Sequence, residues 1–440
     1  MQPNTDARIA QLLSRAVRVS MFVYGDVLHD SRVLREAGTL ASAGFQVTVV
    51  ARPSDTTSSI GRTTRRDGFD VLEVPIPGGW RRPWRIFGAP LRWLARLIDR
   101  VRPGHRVAET LTWLVIRRFG VDGWARAAGV AAPAPDIAHG HDLTGLAAAV
   151  DAGRRRRALV VYDSHEIALE SGGYVLRPGW IRRRLANRER GWIDECTALV
   201  TVNEAILAEL RTRYRLPATS IAVHNCPPRW DPPLQRDDRL RAAAGCPAEA
   251  PLAVYHGSFA PHRGLDELAA ALLEPGLEAV HAVYLGFGRE LAHLERLAAE
   301  PRFGGRLHVV APVAPADLVP WLSGADVAVM PIQPNTLNHV LSTPNKLFEA
   351  LAAGVPIVAS DFPAMRSILL GNPAGPLGAV CDPADPAAIA AAIRDILGFE
   401  AAARADLRQR CLAAAHDRWN WETEGAKLVA VYRDLAGVGA

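Results

Sequence analysis

The chain has 440 residues, 49% of them hydrophobic and 22% charged, with a formal net charge of +5. That length exceeds one compact core and predicts two domains, and the balance is that of a soluble globular protein. No stretch approaches the roughly 18 consecutive apolar residues of a membrane span, and polar residues interrupt the first positions where a signal peptide needs an apolar run.

In chain order, Val17–Tyr24 reads as a buried strand, Asp30 as the cap of a helix over Ser31–Ala43 that Gly44 stops, and Gln46–Ala51 as the next strand. Asp136–His141, Ala158–Asp163 and Leu199–Val202 are short apolar runs of the kind buried on both faces of a parallel sheet. Asn203 then caps a helix over Glu204–Tyr214. A proline-rich stretch, 225–251, breaks the rhythm and is taken as a linker between a first domain, 1–224, and a second, 252–415. In the second, strands are expected at Leu252–His256, Ala279–Leu285, Leu307–Val310, Asp326–Pro331, Val355–Ala359 and Ala379–Cys381, with helices between them. Such alternation builds parallel sheets, so the fold class is α/β, with two Rossmann-like domains facing a central cleft. Helices around Ala401–His416 and Trp421–Leu435 follow the last strand, and 416–440 is expected to pack back across the domain junction. The five cysteines are widely spaced, with no Cys-x-x-Cys pair, which argues for the reducing cytoplasm and against a disulfide framework or a structural zinc.

The stretch "STPNKLFEALAAGVPIVAS" (342–360) sets a lysine and an acid on an otherwise apolar helix. Thr343 is expected to cap it and Pro344 to occupy its first position, leaving the N–H groups of Asn345, Lys346 and Leu347 at the mouth. Free N–H donors, the helix dipole and the Lys346 ammonium together suit an anion. Glu349, one turn on, can accept hydrogen bonds from a vicinal diol, as acids do for ribose in dinucleotide folds. The plain alternative is a surface Lys–Glu pair worth a few tenths of a kcal/mol. A second stretch, "AVYHGSFAPHRGLDEL" (253–268), ends a strand at Gly257-Ser258 and opens a helix at Arg263-Gly264. Arg263 there suits a diphosphate, because its planar fork binds phosphate bidentately, and Gly257 lets backbone approach a phosphate closely.

The ordered set "YHGSFAPHRGLDELAAAL", "YLGFGRE", "LSGADVAVMPI", "TPNKLFEALAAGVPIVASD" and "GAVCDPADPAAIAAAI", with "DSRVLREAGTLASAGFQVTVV", "VYDSHE" and "ALVTVNEAILAEL" before it, resembles the family-4 glycosyltransferases. These are retaining, nucleotide-sugar-dependent enzymes of the two-domain GT-B fold. The resemblance spans most of the chain and leaves roughly 52–130 unmatched. It implies that Arg263 holds the donor diphosphate, that Glu349 binds the ribose hydroxyls, that His165 reaches the transferred sugar, and that the backbone at Gly25 approaches the donor phosphate. It implies a donor of the nucleotide-diphosphate-sugar class, a glycan or lipid-linked acceptor, and a role in cell-envelope glycan or polysaccharide synthesis. Two positions depart from its pattern: Ser258 stands where a second basic residue is usual, and Leu341 where a first glutamate is usual. Lys346 and the backbone near Thr343 and Asn345 are the expected substitutes.

Breaking the anomeric carbon–phosphate bond loads charge onto the leaving diphosphate, so preorganised positive groups are the main catalytic term. Arg263, Lys346 and the helix N-termini would supply it; no Asp-x-Asp occurs, and neither a metal nor another cofactor is expected. Asp30, His141 and Glu166 are weaker candidates for the acceptor side, Asp30 reading equally as a helix cap and Glu166 as a loop acid. His139 and His141, two apart on a strand and so on one face, could with Asp163 and His165 mimic a metal site, and a metal-dependent hydrolase is the rival enzyme class. A catalytically silent GT-B module that binds nucleotide sugar as a partner subunit is the rival outside catalysis.

Between Trp80 and Arg126 lie eleven arginines, three acids and five of the eleven tryptophans. Within it, Leu91, Leu94, Ile98 and Val101 recur at helical spacing with Arg92, Arg96 and Arg100 on another face. Arginine and tryptophan beside an apolar stripe suit an anionic lipid surface, placing the protein peripherally on the inner face of the cell membrane. A helical insertion packed on the first domain is the alternative, and nucleic acid is not expected as a partner.

Overall fold

Two largely parallel sheets organise the chain in a computed structural model, which describes residues 16–27, 30–53, 63–80, 88–91, 93–98, 107–233 and 236–437. The strands of the first sheet are β1 (Arg18–Val23), β2 (Gln46–Ala51), β3 (Thr63–Arg66), β4 (Phe69–Glu73), β5 (Ile137–His141), β6 (Leu159–Ser164), β7 (Ala198–Thr201) and β8 (Thr219–Ala222). They run in the order β3-β4-β2-β1-β5-β6-β7-β8, and every pairing is parallel except the β3–β4 hairpin. The second sheet has β9 (Leu252–Ser258), β10 (His281–Phe287), β11 (Leu307–Val310), β12 (Val327–Met330), β13 (Ile357–Ser360) and β14 (Gly378–Cys381), all parallel, in the order β11-β10-β9-β12-β13-β14. Central strands such as β1, β7 and β12 are buried along nearly their whole length, which is why they read as unbroken apolar runs.

Strand limits expected from the sequence lie within two residues of those observed. The strand β4 went unread, and so did three other features. The edge strand β3 is the polar, mostly exposed "TTRR"; β8 is a four-residue strand; and the helical stretch Val107–Ala131 contains a π turn over Ile116–Val121. None carries a period that distinguishes it from a loop or an ordinary helix.

The two caps fall where expected. Asp30 Oδ1 accepts from Val33 N (3.2 Å), starting the helix Ser31–Ser42, and Asn203 Oδ1 accepts from Ile206 N (2.8 Å), starting Glu204–Arg213. By its contacts the chain forms two compact units. One comprises residues up to Val202 with Leu207–Val223 and the segment from Gly425; the other comprises Asn203–Ile206 and His224–Glu424. Strand order reverses between β1 and β5 in the first sheet and between β9 and β12 in the second. In open α/β sheets ligands bind beyond the carboxyl ends of the strands at such reversals.

Candidate functional site

At the carboxyl end of β9 the sequence Tyr255-His256-Gly257-Ser258 meets the first turn of the helix Asn345–Ala352. The Lys346 ammonium lies 3.6 Å from the centroid of the Tyr255 ring, and Nζ is 3.7 Å from where a Cβ on Gly257 would stand. The Tyr255 hydroxyl donates to the Ser258 carbonyl (2.9 Å), which holds the ring as a floor under the lysine. Glu349 Oε2 sits 3.0 Å from His256 Nε2. Burial lowers the His256 pKa despite Glu349, so a neutral imidazole donates to the carboxylate and fixes its direction. Neither Lys346 nor Glu349 is a surface ornament.

Arg263 is placed by the same architecture. Gly264 adopts φ +73°, and a Cβ there would lie 1.9 Å from the Pro331 carbonyl oxygen just beyond β12, so only glycine permits this approach. The His262 carbonyl accepts from Gln333 N (3.0 Å), tying the loop down on Arg263's other side. Burial and the neighbouring Arg263 charge hold the Lys346 pKa well below its usual value, with Glu349 opposing them. Two cations are thus brought together with one acid beside them, and an anion arriving there would relieve their repulsion.

The expected cap is corrected. The helix begins at Asn345 with Pro344 in the cap position, and Leu347 N bonds to the Pro344 carbonyl (2.9 Å), leaving Asn345 and Lys346 as the amides of the mouth. Thr343 is buried, and its hydroxyl accepts from Asn203 Nδ2 (3.1 Å), so its side chain is engaged in packing rather than offered to a ligand. Gly257, Ser258, Arg263, Asn345, Lys346 and Glu349 come together; His256, Tyr255 and His339 join them unannounced. His339 Nδ1 lies 3.1 Å from the Gln333 carbonyl, and burial with Arg263 nearby lowers its pKa. A histidine on a strand otherwise buried along its length was the signal for His256.

The first unit carries a different cluster at the carboxyl ends of β5 and β6. Arg32 grips Asp163 through Nε–Oδ2 (3.0 Å) and Nη2–Oδ1 (2.9 Å), reaches the Val223 carbonyl (2.8 Å), and lies 3.0 Å from Glu36 Oε1. The His139 and His141 rings stack at 4.3 Å; His139 Nδ1 contacts the Tyr432 hydroxyl, and His141 Nδ1 lies 3.1 Å from Asp163. His165, its side chain 20% exposed, has Nε2 at 3.0 Å from Asp163 and Nδ1 at 3.4 Å from Asp142, whose Oδ1 also accepts from His165 N. Burial alone would lower the His165 pKa, but Asp142 and Asp163 raise it to about 10, so the ring is a cation at neutral pH. Burial next to Asp163 pushes Glu36 up to about 8.

Glu36, His139, His141 and Asp163 have ligand atoms within 4.8 Å of one another. All four are 0–1% exposed, and the Arg32 guanidinium already neutralises the acids, so a metal and its substrate would have to displace a buried arginine. The donor set does not fit the hydrolase reading. His141 is sealed inside this network. Asp30 is the helix cap described above, Glu166 is exposed after β6, and Gly25 follows β1 with open space where a Cβ would project. In the basic segment, residues 88–91 and 93–98 are helical; Leu91, Trp93, Leu94, Leu97 and Ile98 are exposed and Ala95 is buried. Arg92, Arg100 and Val101 lie outside the described residues. Among the described residues no helix is long and apolar enough to cross a membrane.

Comparison with known proteins follows this division. The family model described as "Glycosyl transferase 4-like domain" matches residues 30–227, and that described as "Glycosyl transferases group 1" matches 250–398. A D-inositol 3-phosphate glycosyltransferase from Xylanimonas cellulosilytica is 29% identical over 75% of this chain and 77% of its own length. A glycogen synthase from Mycobacterium tuberculosis is 26% identical over 89% of this chain and 87% of its own. The solved sucrose-phosphate synthase of Thermosynechococcus elongatus shares the fold with a TM-score of 0.69, at 17% identity, over 96% of this chain and 100% of that one.

Proposed function

The chain belongs to the group 1 glycosyltransferases of family 4, and from that premise we propose that it moves a sugar from a nucleotide-diphosphate donor to an acceptor hydroxyl, with retention. The observation that carries this reading is the pair of cations, Arg263 and Lys346, converging beside Glu349 at the strand-order reversal of the second sheet. Arg263 binds the diphosphate, and Lys346 with the first-turn amides holds it from the helix side. Glu349, aimed by His256, takes the ribose hydroxyls. Lys346 occupies the space beside Gly257-Ser258, so a basic residue absent at 258 is made good from another element. That compensation answers one of the two departures, Ser258 and Leu341, that favour a silent binding module.

As the anomeric carbon–oxygen bond breaks, the departing phosphate gains charge beside Arg263 and Lys346, which the bound diphosphate keeps protonated. The acceptor hydroxyl attacks from the face the phosphate leaves, and its proton passes to that phosphate oxygen. The two cations carry this charge without a divalent metal. His165, a cation held by Asp142 and Asp163 in the first unit, is the residue that the resemblance assigns to the transferred sugar. The acceptor is proposed to be a hydroxylated glycan or lipid-linked glycan of the cell envelope; the names of the relatives, which act on inositol phosphate or glycogen, support a polyhydroxylated acceptor. The exposed apolar side chains of residues 91–98, within an arginine-rich stretch, suit an anionic membrane surface. Sedimentation with anionic vesicles but not neutral ones checks that part.

The transfer reading is tested by incubating the full chain with UDP-, GDP- and ADP-sugars, in chelator and in magnesium, and following nucleotide-diphosphate release. The diphosphate of one of the three nucleosides should be released in chelator, and an acceptor should raise the rate. Consumption of none, or release only with magnesium, contradicts the proposal.

A further inference from the structure

We propose that Cys246, His281 and His308 form a site for a zinc-type divalent cation, which clips the loop after the helix Arg239–Ala244 to the edge of the second sheet. The three residues come from separate elements, and their ligand atoms all lie within 4.8 Å of one another. β11 is the edge strand, and its His308 pairs with Val283. His281 is two residues before Val283, so both histidines project from one face. The helix Arg239–Ala244 packs near β11 and ends at left-handed Gly245 (φ +66°). There Gly245 N bonds to Ala242 O (3.1 Å) and Cys246 N to Arg241 O (3.0 Å), so the capping turn fixes where Cys246 stands.

The chemistry of the set suits that cation. Two imidazoles and one thiol favour zinc over magnesium or calcium, which take oxygen ligands. Zinc takes neutral imidazoles and a thiolate, the donors that these three side chains can offer. The positive groups nearby are engaged elsewhere: Arg241 Nη2 holds Asp326 (2.6 Å) and Arg306 Nη1 holds the Leu277 carbonyl (2.9 Å). His281 Nδ1 and His308 Nε2 are 2.9 Å apart with ring planes 9° from parallel, a pair sharing one hydrogen. Zinc–nitrogen bonds of ~2.0 Å at a tetrahedral angle place the nitrogens ~3.3 Å apart, so the pair opens by a few tenths of an ångström. On binding, Cys246 gives its thiol proton to solvent. The histidine that donates in the pair moves its hydrogen to its other ring nitrogen, and both lone pairs then face the cation. All three residues are only partly buried, so water can complete the fourth position.

The test is a cobalt titration of the untagged, chelator-treated full chain, read by absorption. One cobalt per chain should produce a thiolate-to-cobalt charge-transfer band that zinc displaces, and zinc should raise the melting temperature. Cys246→Ser should lose the band, while His281→Gln and His308→Gln should each weaken binding by about tenfold or more and lose the thermal gain. No band at a one-to-one ratio overturns the proposal. So does a band that survives Cys246→Ser, which assigns it to another cysteine, or affinity unchanged in both histidine variants. His308 lies on an edge strand, so its variant keeps the test decisive if the cysteine variant does not fold. None of these residues belongs to the donor site, so this result and the transfer assay fail independently.

Discussion

The clusters at the carboxyl ends of β6 and β9 use the same residue types and do opposite things with them. In the first unit Arg32 is matched by Asp163 and Glu36, the His139 and His141 rings are sealed in, and His165 and Asp142 reach solvent. In the second unit Arg263 and Lys346 outnumber Glu349, and all three are only partly buried. A cluster whose arginine is paired with its own acids is a frame for the one histidine it presents; one that gathers positive charge at a strand-order reversal is built for an anion that arrives later. The contrast also accounts for the metal-like look of "HGHD" in the sequence, because in the fold Arg32 is paired with the acids of that cluster. The arginine that fills it lies more than a hundred residues earlier.

The contrast breaks most visibly at Arg32. Replacing it with Met strands Asp163 in a buried site, and urea unfolding should show a loss of ~3–5 kcal/mol; a loss below 1 kcal/mol, on the order of a surface pair, would make the network ornamental. On the other side, Arg263→Ala should leave stability nearly intact while lowering kcat by roughly 100- to 1,000-fold, the scale for one preorganised charge. An unstable variant of undiminished turnover would reverse the two roles.

Protonation sharpens the comparison. Lys346 has a depressed pKa in the empty site, and a bound diphosphate should raise it again. Donor binding should therefore take up a proton and tighten as pH falls from the bound toward the free pKa. Calorimetry in buffers of different ionisation enthalpy reads that uptake, and Lys346→Met should abolish it. Glu36 titrates the other way round in energy: its folded pKa of about 8 exceeds its unfolded value near 4.5. Its contribution is complete below about pH 4.5 and is lost as pH rises through 8. His165, raised to about 10, adds a similar loss between its unfolded pKa near 6.5 and 10. Glu36→Gln should flatten the stability profile between about pH 4.5 and 8 and leave its upper part, set by His165, in place; an unchanged slope below pH 8 would refute this.

Much of this was legible beforehand. Buried parallel strands announce themselves as apolar runs, and Asp30 and Asn203 cap as their side chains dictate. Arg263, Lys346 and Glu349 were readable because strand ends and helix starts locate them within one domain. What failed depended on partners distant in sequence. Thr343 was misread as a cap because its hydroxyl answers to Asn203, 140 residues away. His256 was passed over because its task, aiming Glu349, spans 93 positions. Cysteine spacing likewise says nothing of histidines, and the register of β10 and β11 sets His281 and His308 together beside Cys246. The edge strand β3 stayed hidden because a solvated strand carries no apolar signal.

The most direct measurement is a thermal-shift comparison of UDP, GDP and ADP on the wild type, Arg263→Ala and Glu349→Ala, in chelator. A ligand at 100 times its Kd stabilises a single site by about 2.7 kcal/mol, enough for a clear shift. The account predicts that one diphosphate raises the wild-type melting temperature and fails to do so in both variants, which themselves melt near the wild type. No shift with any diphosphate, or an equal shift in both variants, would contradict the placement of the donor site at β9.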